Sequence, residues 1–201
     1  EFINLLPGTY AVQFELPATY IFTTQNAGVN DAIDSDQNTV TGITQTVTII
    51  SGENNPTVDA GIVLPASIGN YVWDDVDGNG IQDAGETGLN NVVVILYDAA
   101  GNEIVRDTTD ASGNYSFIDL LPGTYTIEVV PPSGYTVSNP NQGTDSTTDS
   151  NISTTTNTSN SIVLVQGQND STIDAGLHIA TLPVRLVTFN AAPQGNQVNV
   201  T

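Results

Sequence analysis

The sequence of 201 residues has no cysteine, no methionine and no lysine, and only two arginines and one histidine. The absence of cysteine excludes disulfide bonds and thiolate metal sites. With 22 acidic residues the formal net charge is −20, so nucleic acids and anionic membranes would be repelled and are not expected partners. No apolar run approaches the roughly 18 residues needed to span a bilayer, and no signal peptide is apparent.

Thr, Asn, Gly, Asp and Val dominate what is present, and this composition favours strands and turns over helices. Short apolar or alternating runs are separated by turns rich in Gly, Pro, Asp and Asn. The clearest of these strand signals are Val92–Tyr97, Thr124–Val129 and Ser161–Val165. The pattern predicts an all-β fold made of tandem antiparallel β-sandwiches of the immunoglobulin-like or prealbumin-like class, with about seven strands in a complete module.

An internal repeat organises the chain. FINLLPGTY at Phe2–Tyr10 returns as FIDLLPGTY at Phe117–Tyr125, and the same offset of 115 residues continues without a gap to a closing Asp-Ala-Gly in each copy. Residues 1–66 are therefore predicted to be the second half of a module, and residues 67–180 a complete one. Residues 181–201 are predicted to open a further β domain or to form an extended linker, with two apolar strands around an Ala-Ala-Pro-Gln-Gly-Asn turn.

A half-module would leave strand edges unpaired and an apolar face uncovered. The abrupt start at Glu1-Phe2-Ile3 is expected to be an internal cut in a longer array. The alternative is that another element, supplied by a neighbouring molecule, completes the half-module.

The acidic stretch from Asp75 to Glu86 has the form D-x-D-x-N-G-I-x-D-x-x-E, the pattern of a twelve-residue calcium loop. Its ligand positions hold side-chain oxygens and one backbone carbonyl, and Gly80 stands where a sharp turn is needed. The predicted calcium ligands are Asp75, Asp77, Asn79, Ile81 through its carbonyl, Asp83 through water, and Glu86. Hard oxygen donors of this number favour Ca²⁺ over Mg²⁺ or zinc. Strand patterns flank the loop, so a clip between strands is expected.

A second set of acidic and amide residues recurs in both copies, and either a further cation or plain surface turns would account for it. This candidate set comprises Asp145, Asp149 and Asp174 in the second copy and Asn30, Asp34 and Asp59 in the first. Asp110, in an Asp-Ala-Ser-Gly-Asn turn, is expected to be a local cap.

No catalytic arrangement is evident in the sequence. His178 is the only histidine, so a histidine zinc site is excluded and a catalytic triad would depend on one residue. No glycine-rich phosphate loop leads from a strand into a helix. Trp73 could stack on a sugar, but its place directly before the acidic loop favours a core position. An enzyme is not expected.

The sequence also resembles a known family. The segments IGNYVWDDVDGNGIQDAGETGLNNVVVILYDAAGN and TTDASGNYSFIDLLPGTYTIEVVPPSGYT, with the closing Asp-Ala-Gly, resemble the SdrD B-like repeats of bacterial surface adhesins, relatives of the collagen-adhesin B-type domains. The resemblance implies a calcium-stabilised β-sandwich that acts as a stalk, with the calcium ligands named above. Many of the related domains carry a Lys–Asn crosslink, which a chain without lysine cannot form.

The tail LPVRLVTFNAAPQGNQVNVT resembles the domain opening found before the sorting region of type IX-secreted proteins. That resemblance implies an extracellular location on a Gram-negative, gliding-type bacterium.

Three functions are compatible with these features. The preferred one is a calcium-stabilised stalk or spacer in a large secreted or cell-surface adhesin. Its expected partners are neighbouring modules of the same or an adjacent chain, and host or environmental surface ligands bound through other domains. The second is a subunit of an extracellular filament, in which an adjacent chain donates strands to the N-terminal half-module. The third is a module that binds glycans or host proteins through Trp73, Tyr135 or the Thr-rich loops.

Overall fold

The structure is a computed structural model that describes residues 1–180, 191–194 and 197–200. All regular elements among these residues are β-strands, as the composition predicts. The described part of the chain contains no helix long and apolar enough to cross a membrane.

Residues 66–180, called here the C-terminal module, form two packed sheets. The strands before it in the chain are β1 (Gly8–Tyr10), β2 (Ile21–Phe22), β3 (Val47–Ile49) and β4 (Ile62–Val63). The strands of the module are β5 (Ala66–Asp74), β6 (Val93–Asp98), β7 (Glu103–Thr108), β8 (Asn114–Leu120), β9 (Gly123–Val130), β10 (Tyr135–Val137), β11 (Ile162–Leu164), β12 (Asn169–Asp170) and β13 (Ala175–Ile179). The predicted boundary after residue 66 falls one residue inside β5.

One sheet has the antiparallel order β11-β9-β6-β7. In the other, β5 pairs antiparallel with β8, and it pairs parallel with β12 and β13, while β10 lies antiparallel on the outer side of β13. The predicted all-β sandwich is confirmed. The parallel pairing of β5 was not predicted, because it joins the two ends of the module and leaves no local mark in the sequence.

The core lies between the two sheets and follows from strand alternation. Tyr125, Ile127 and Val129 on β9 face inward, as their spacing predicts, and each is buried. Val94 and Leu96 on β6 meet them, and apolar side chains from β5, β8 and β13 close the other side. Burial of such residues contributes about 1.5–3 kcal/mol per large side chain.

Residues 1–63, called here the N-terminal segment, repeat the second half of this module in register. β1 pairs with β3 as β9 pairs with β11, with Gly8 opposite Ile49 and Gly123 opposite Leu164. β2 pairs with β4 as β10 pairs with β13. The tyrosine hydroxyl of Tyr10 donates to a carbonyl four residues earlier at 2.7 Å, and that of Tyr125 does the same at 2.7 Å.

The N-terminal segment lacks counterparts of β5 and β6, so its apolar face is open. Phe2 is 70% exposed whereas its repeat partner Phe117 is 3% exposed, and Ile62 is 41% exposed whereas Leu177 is fully buried. The open face is a groove of about 630 Å³ lined by both strands of the β1–β3 pair and by the residues around them.

The junction between the two regions is short. Only Leu64 and Pro65 separate β4 from β5. The Gly167 N–H donates to the Leu64 carbonyl at 3.1 Å, and the Ser67 N–H donates to the Gln168 carbonyl at 2.9 Å. The connection is therefore anchored to the C-terminal module by backbone hydrogen bonds.

Near the end of the chain, β14 (Ala191–Gln194) and β15 (Gln197–Val200) form an antiparallel hairpin. The prediction that Ala191–Gln194 belong to a turn is wrong. These four residues pair with the strand that follows, which leaves only two residues between the strands. The first predicted strand of the tail lies in residues 181–190, outside the described residues. The resemblance to a sorting-region domain concerns residues 182–201, most of which also lie outside them, and it stays a prediction.

Candidate metal centre

The acidic loop Asp75–Glu86 follows β5 directly, and residues 87–92 lead from it to β6. Trp73, just before it, is fully buried and stacks in parallel on Tyr71 with ring centroids 6.4 Å apart. A bridge between Trp73 and Gly88 closes the base of the loop. The Asp75 N–H donates to the Leu177 carbonyl on β13 at 2.9 Å, so the loop begins from a fixed point in the core.

Three predicted ligands converge in this loop. Carboxylate oxygens of Asp75, Asp77 and Glu86 lie within 4.8 Å of one another. Asp75 is fully buried, and its two oxygens accept the Asn79 N–H at 3.1 Å and the Gly80 N–H at 2.8 Å. Gly80 has a φ of +78°, a left-handed conformation that glycine adopts without strain and that turns its N–H toward Asp75.

Asn79 and Asp83 lie beside this group. The Asn79 side-chain amide donates to Asp77 at 3.0 Å and to Asp83 at 2.8 Å. Asp83 is exposed and outside the three-carboxylate group, and a contact through water stays the prediction for its position. Glu86 accepts the Asp83 N–H at 3.0 Å, which ties the end of the loop to its middle.

The carbonyl of Ile81 is oriented by a β-bridge to Asp149. The hydrogen bonds of this bridge come from the flanking residues: the Gln82 N–H donates to Thr148, and the Ser150 N–H donates to Gly80. In an antiparallel pair of this kind, the N–H and C=O of the central residue point away from its partner. The Ile81 N–H accordingly reaches Asn79 Oδ1 inside the loop, at 2.7 Å.

The donor set fits a hard divalent cation. Three carboxylates converge on one centre with the Asn79 amide beside them, and within the described residues no salt bridge to a basic side chain neutralises them. Arg106, the arginine within the described residues, pairs instead with Glu103 at 2.7 Å on the exposed edge strand β7. Carboxylates this close repel one another by up to about 4 kcal/mol per pair at an effective dielectric near 20, and a cation removes that repulsion.

Asp174 is the most unusual member of the second acidic set. It is 3% exposed, and both of its carboxylate oxygens are buried without a hydrogen-bond partner of good geometry. Burial raises the pKa of Asp174 to about 7 and the charge of Asp149 adds to the effect, while the Asn70 side chain and the Tyr71 N–H lower it only in part. Burial likewise raises the pKa of Asp149, with a smaller contribution from Asp145.

Other members of this set are used locally. Asp145 accepts the N–H and hydroxyl of Thr147 at 3.0 and 2.6 Å, and Asn30 accepts the Ala32 N–H at 3.2 Å, so both cap turns. Asp110 accepts the N–H groups of Ser112 and Asn114, and its expected role as a cap is confirmed.

In the N-terminal segment the structure brings together a group that only partly matches the predicted one. Carboxylates of Asp31, Asp34 and Asp36 lie within 4.8 Å of one another, and Asp34 Oδ1 is buried without a hydrogen-bond partner. Asp59 touches this group through its N–H, which donates to Asp36 at 2.6 Å. Asp31 and Asp36 join Asp34 in this group, while the Asn30 side chain accepts the N–H of its own turn.

Trp73 is fully buried, so the expectation that it packs in the core is confirmed and the sugar-stacking alternative for this residue is wrong. The contact of the acidic loop with residues 139–150 was not predicted. The glycines at positions 80 and 143 carry the only local signal for it, since a side chain at either position would press on the opposite segment.

A family model described as the SdrD B-like domain matches residues 1–62 and 66–177. The chain belongs to the SdrD B-like domain family. The resemblance seen in the sequence is therefore confirmed. Because this family consists of repeats of bacterial surface adhesins, the chain is placed outside the cell, at the bacterial surface.

Among curated relatives, serine-aspartate repeat-containing protein F of Staphylococcus epidermidis is 41% identical over 179 residues, which are 89% of this chain and 10% of the relative. Serine-aspartate repeat-containing protein D of Staphylococcus aureus strain Newman is 37% identical over 179 residues, 89% of this chain and 13% of the relative. The chain thus spans about a tenth of the length of these relatives.

Solved structures are more distantly similar. A minor pilin of Streptococcus agalactiae has a TM-score of 0.41 at 14% identity and covers 71% of this chain and 62% of its own. A streptococcal ancillary pilin has a TM-score of 0.38 at 15% identity and covers 88% of this chain and 43% of its own.

Proposed function

We propose that this chain is a calcium-stabilised structural spacer of a large surface adhesin, with no catalytic role. The convergence of Asp75, Asp77 and Glu86 on one centre at the end of a core strand is the observation that supports it most. The family of surface-adhesin repeats supports the same role. Neighbouring modules are the expected partners.

The side chains of the loop would hold Ca²⁺ through Asp75, Asp77, Asn79, Asp83 and Glu86, together with the Ile81 carbonyl. A bound cation supplies charge neutralisation at this point. Asp75 is both a ligand candidate and a residue anchored to β13, so ordering of the loop is linked to the packing of the sheet. Extracellular calcium modules bind with dissociation constants of about 10⁻⁴–10⁻³ M, and a ligand at 100 times its dissociation constant adds about 2.7 kcal/mol to stability.

The short junction supports a spacer role. The connection between β4 and β5 has two residues, and both the Leu64 carbonyl and the Ser67 N–H are hydrogen-bonded to residues 167 and 168 of the C-terminal module. It therefore permits little bending between these strands. Such a connection transmits force along the chain, which is what a stalk requires.

A further cation at Asp149 and Asp174 is part of the proposal. Two nearly buried carboxylates with raised pKa values are costly when ionised, and a cation between them would offset the cost. The Asp31, Asp34 and Asp36 group is the corresponding candidate in the N-terminal segment.

Thermal unfolding monitored by Trp73 fluorescence tests the proposal, because the single tryptophan reports on the C-terminal module alone. Chelation is expected to lower the melting temperature by on the order of 10 °C, corresponding to the loss of about 2.7 kcal/mol. Glu86→Gln should abolish most of the calcium effect. Glu15→Gln, which removes the same charge at an exposed position, should retain it. Identical melting curves with calcium and with EDTA would refute calcium stabilisation.

A second candidate function is favoured by one specific observation. The groove of the N-terminal segment and its two unpaired strand edges match the surface that β5 and β6 cover in the C-terminal module. A filament in which an adjacent chain supplies such strands would use this surface. Analytical ultracentrifugation separates the candidates: a concentration-independent monomer contradicts the filament, and regular fibres by electron microscopy support it.

A further inference from the structure

The acidic loop and residues 139–150 come from opposite halves of the C-terminal module, yet they form one packed unit. The Gln82 N–H donates to the Thr148 carbonyl at 2.8 Å, and the Ser150 N–H donates to the Gly80 carbonyl at 3.0 Å. Together these bonds make the bridge between Ile81 and Asp149. This two-bond ladder is formed by the middle of the loop, between its first and last ligand positions.

Two glycines allow the segments to approach this closely. A Cβ atom at Gly80 would overlap the Asn139 carbonyl oxygen. A Cβ atom at Gly143 would stand 3.2 Å from Cδ1 of Ile81, closer than side chains normally pack. The Ile81 side chain therefore rests on residues 139–150, while its carbonyl faces the interior of the loop.

Residues 139–150 are themselves fixed to β13. The Ser138 N–H donates to the Gly176 carbonyl at 2.8 Å, and the Asn141 N–H donates to the Ser150 carbonyl at 2.7 Å, closing the segment on itself. Ser150, which is fully buried, also accepts the Gly176 N–H at 3.3 Å. Since Asp75 is hydrogen-bonded to β13 as well, the acidic loop, residues 139–150 and β13 form a closed ring of contacts.

We propose that residues 139–150 are a positioning segment for the calcium loop, so that cation binding at Asp75–Glu86 and ordering of residues 139–150 are one linked equilibrium. This inference rests on the calcium site described under the proposed function. Linkage is reciprocal. If residues 139–150 order the acidic loop, the cation-bound loop must order residues 139–150 by the same coupling free energy. A cation would then fasten the first half of the module to the second, as a covalent staple does.

The N-terminal segment provides a comparison within the same molecule. Its residues 24–35 correspond to residues 139–150, and the Asn26 N–H donates to the Ser35 carbonyl at 2.8 Å just as Asn141 donates to Ser150. No counterpart of the acidic loop packs on residues 24–35, because the described N-terminal segment contains only the second half of the repeat.

Amide hydrogen exchange measured by NMR on the full chain tests the linkage. In the wild type, calcium is expected to slow exchange of the Ser150 and Gln82 amides about tenfold or more relative to EDTA. In Glu86→Gln the same amides should show little change, which distinguishes linkage from direct binding of calcium at Asp149 and Asp174. Equal protection of Ser150 in the variant would overturn the proposal.

The possible failures are distinguishable. If Trp73 fluorescence shows saturable calcium binding that Glu86→Gln abolishes, and exchange at Ser150 does not change, the linkage is wrong and the calcium site stands. If the wild type shows no binding, the proposed function fails. The contact between the acidic loop and residues 139–150 is still tested in EDTA. There, Ile81→Ala should speed amide exchange at Ser150, and an unchanged exchange rate contradicts the proposal.

Replacement of Ile81 separates positioning from coordination, because the backbone carbonyl is retained. Ile81→Ala is expected to weaken calcium binding about five- to tenfold without changing the number of ions bound, as measured by isothermal titration calorimetry. Ile81→Val should recover most of the affinity. Ile118→Ala, the same change at an exposed position of β8, is the control, and an Ile81→Ala affinity equal to that of the control counts against the proposal.

Discussion

The N-terminal segment and the C-terminal module share a sequence frame, a strand register and the tyrosine hydrogen bond that holds the Leu-Pro-Gly turn, but they differ in what covers their apolar face. In the module, β5 and β6 lie over the second half of the repeat and enclose a core. In the N-terminal segment most equivalent side chains are at least half-exposed or only partly buried, and Phe2 is among the most exposed. The comparison shows that hydrogen-bonded turns and strand pairs of this repeat are set locally, whereas burial requires both halves.

The same comparison separates the two acidic regions. The acidic loop belongs to the first half of the repeat and occurs once. Residues 139–150 belong to the second half and have a counterpart in residues 24–35. In the C-terminal module the acidic loop contacts residues 139–150 through the bridge between Ile81 and Asp149. In the N-terminal segment the carboxylates of Asp31, Asp34 and Asp36 lie close to one another instead. Matched substitutions at repeat-related positions are therefore the sharpest tests of what each region contributes.

The largest expected difference is at Phe117 and Phe2. Phe117→Ala should destabilise the C-terminal module by about 3–5 kcal/mol, because it removes a buried ring and leaves a cavity. Phe2→Ala should change stability by less than about 0.5 kcal/mol, since the ring is exposed. Differential scanning calorimetry of both variants measures this. A large effect at Phe2 would show that the open face is covered in solution.

The next effect concerns pH. The pKa of Asp174 is raised to about 7, so between about pH 4 and pH 7 the unfolded chain releases this proton before the folded chain does. In EDTA the protonated Asp174 carboxyl contributes on the order of 4 kcal/mol to the free energy of unfolding. This contribution is fully present below about pH 4 and is lost as the pH rises to about 7.

Asp174→Asn should flatten this pH dependence in melts followed by Trp73 fluorescence. Asp59→Asn, the repeat-related change at a half-buried position, should leave these melts unaltered. An unchanged slope in Asp174→Asn would contradict the assignment. Calcium that removes the slope in the wild type would support a cation beside Asp174.

A smaller effect is expected at the glycines of the acidic loop. Gly80→Ala should cost about 2–3 kcal/mol, because it combines a left-handed φ with overlap on the Asn139 carbonyl. Gly85→Ala, also at positive φ but facing open space, should cost about 1 kcal/mol. Chemical denaturation in EDTA compares them without any cation. Equal losses would show that the approach of residues 139–150 contributes nothing.

The smallest effect is at the repeated tyrosines. Tyr125→Phe should cost about 1 kcal/mol, because the Leu121 carbonyl loses its donor in a largely buried position. Tyr10→Phe should cost less, since the Leu6 carbonyl it leaves is accessible to water. Urea denaturation curves of the two variants provide the measurement. The reverse order would mean that the N-terminal turn is the more protected of the two.

The repeat, the strand class and the acidic loop could be predicted because each is written in consecutive residues. Tyr125, Ile127 and Val129 alternate along one strand, and the spacing from Asp75 to Glu86 places oxygen donors around one turn. The strand Ala191–Gln194 was mistaken for a turn because small residues and proline carry a weak strand signal, and its pairing with Gln197–Val200 decided the outcome.

By itself the sequence determined the alternation of strands and turns, the membership of a repeat family and the order of oxygen-bearing residues in the acidic loop. Only the tertiary structure decided that β5 pairs parallel with β12 and β13, that the Asp174 carboxylate is buried without a hydrogen-bond partner of good geometry, and that residues 139–150 rest on the acidic loop. Local choices depend on φ, ψ and side-chain period within a few residues, whereas these contacts join residues far apart in the chain, and their energies appear only when the two halves of the module pack together.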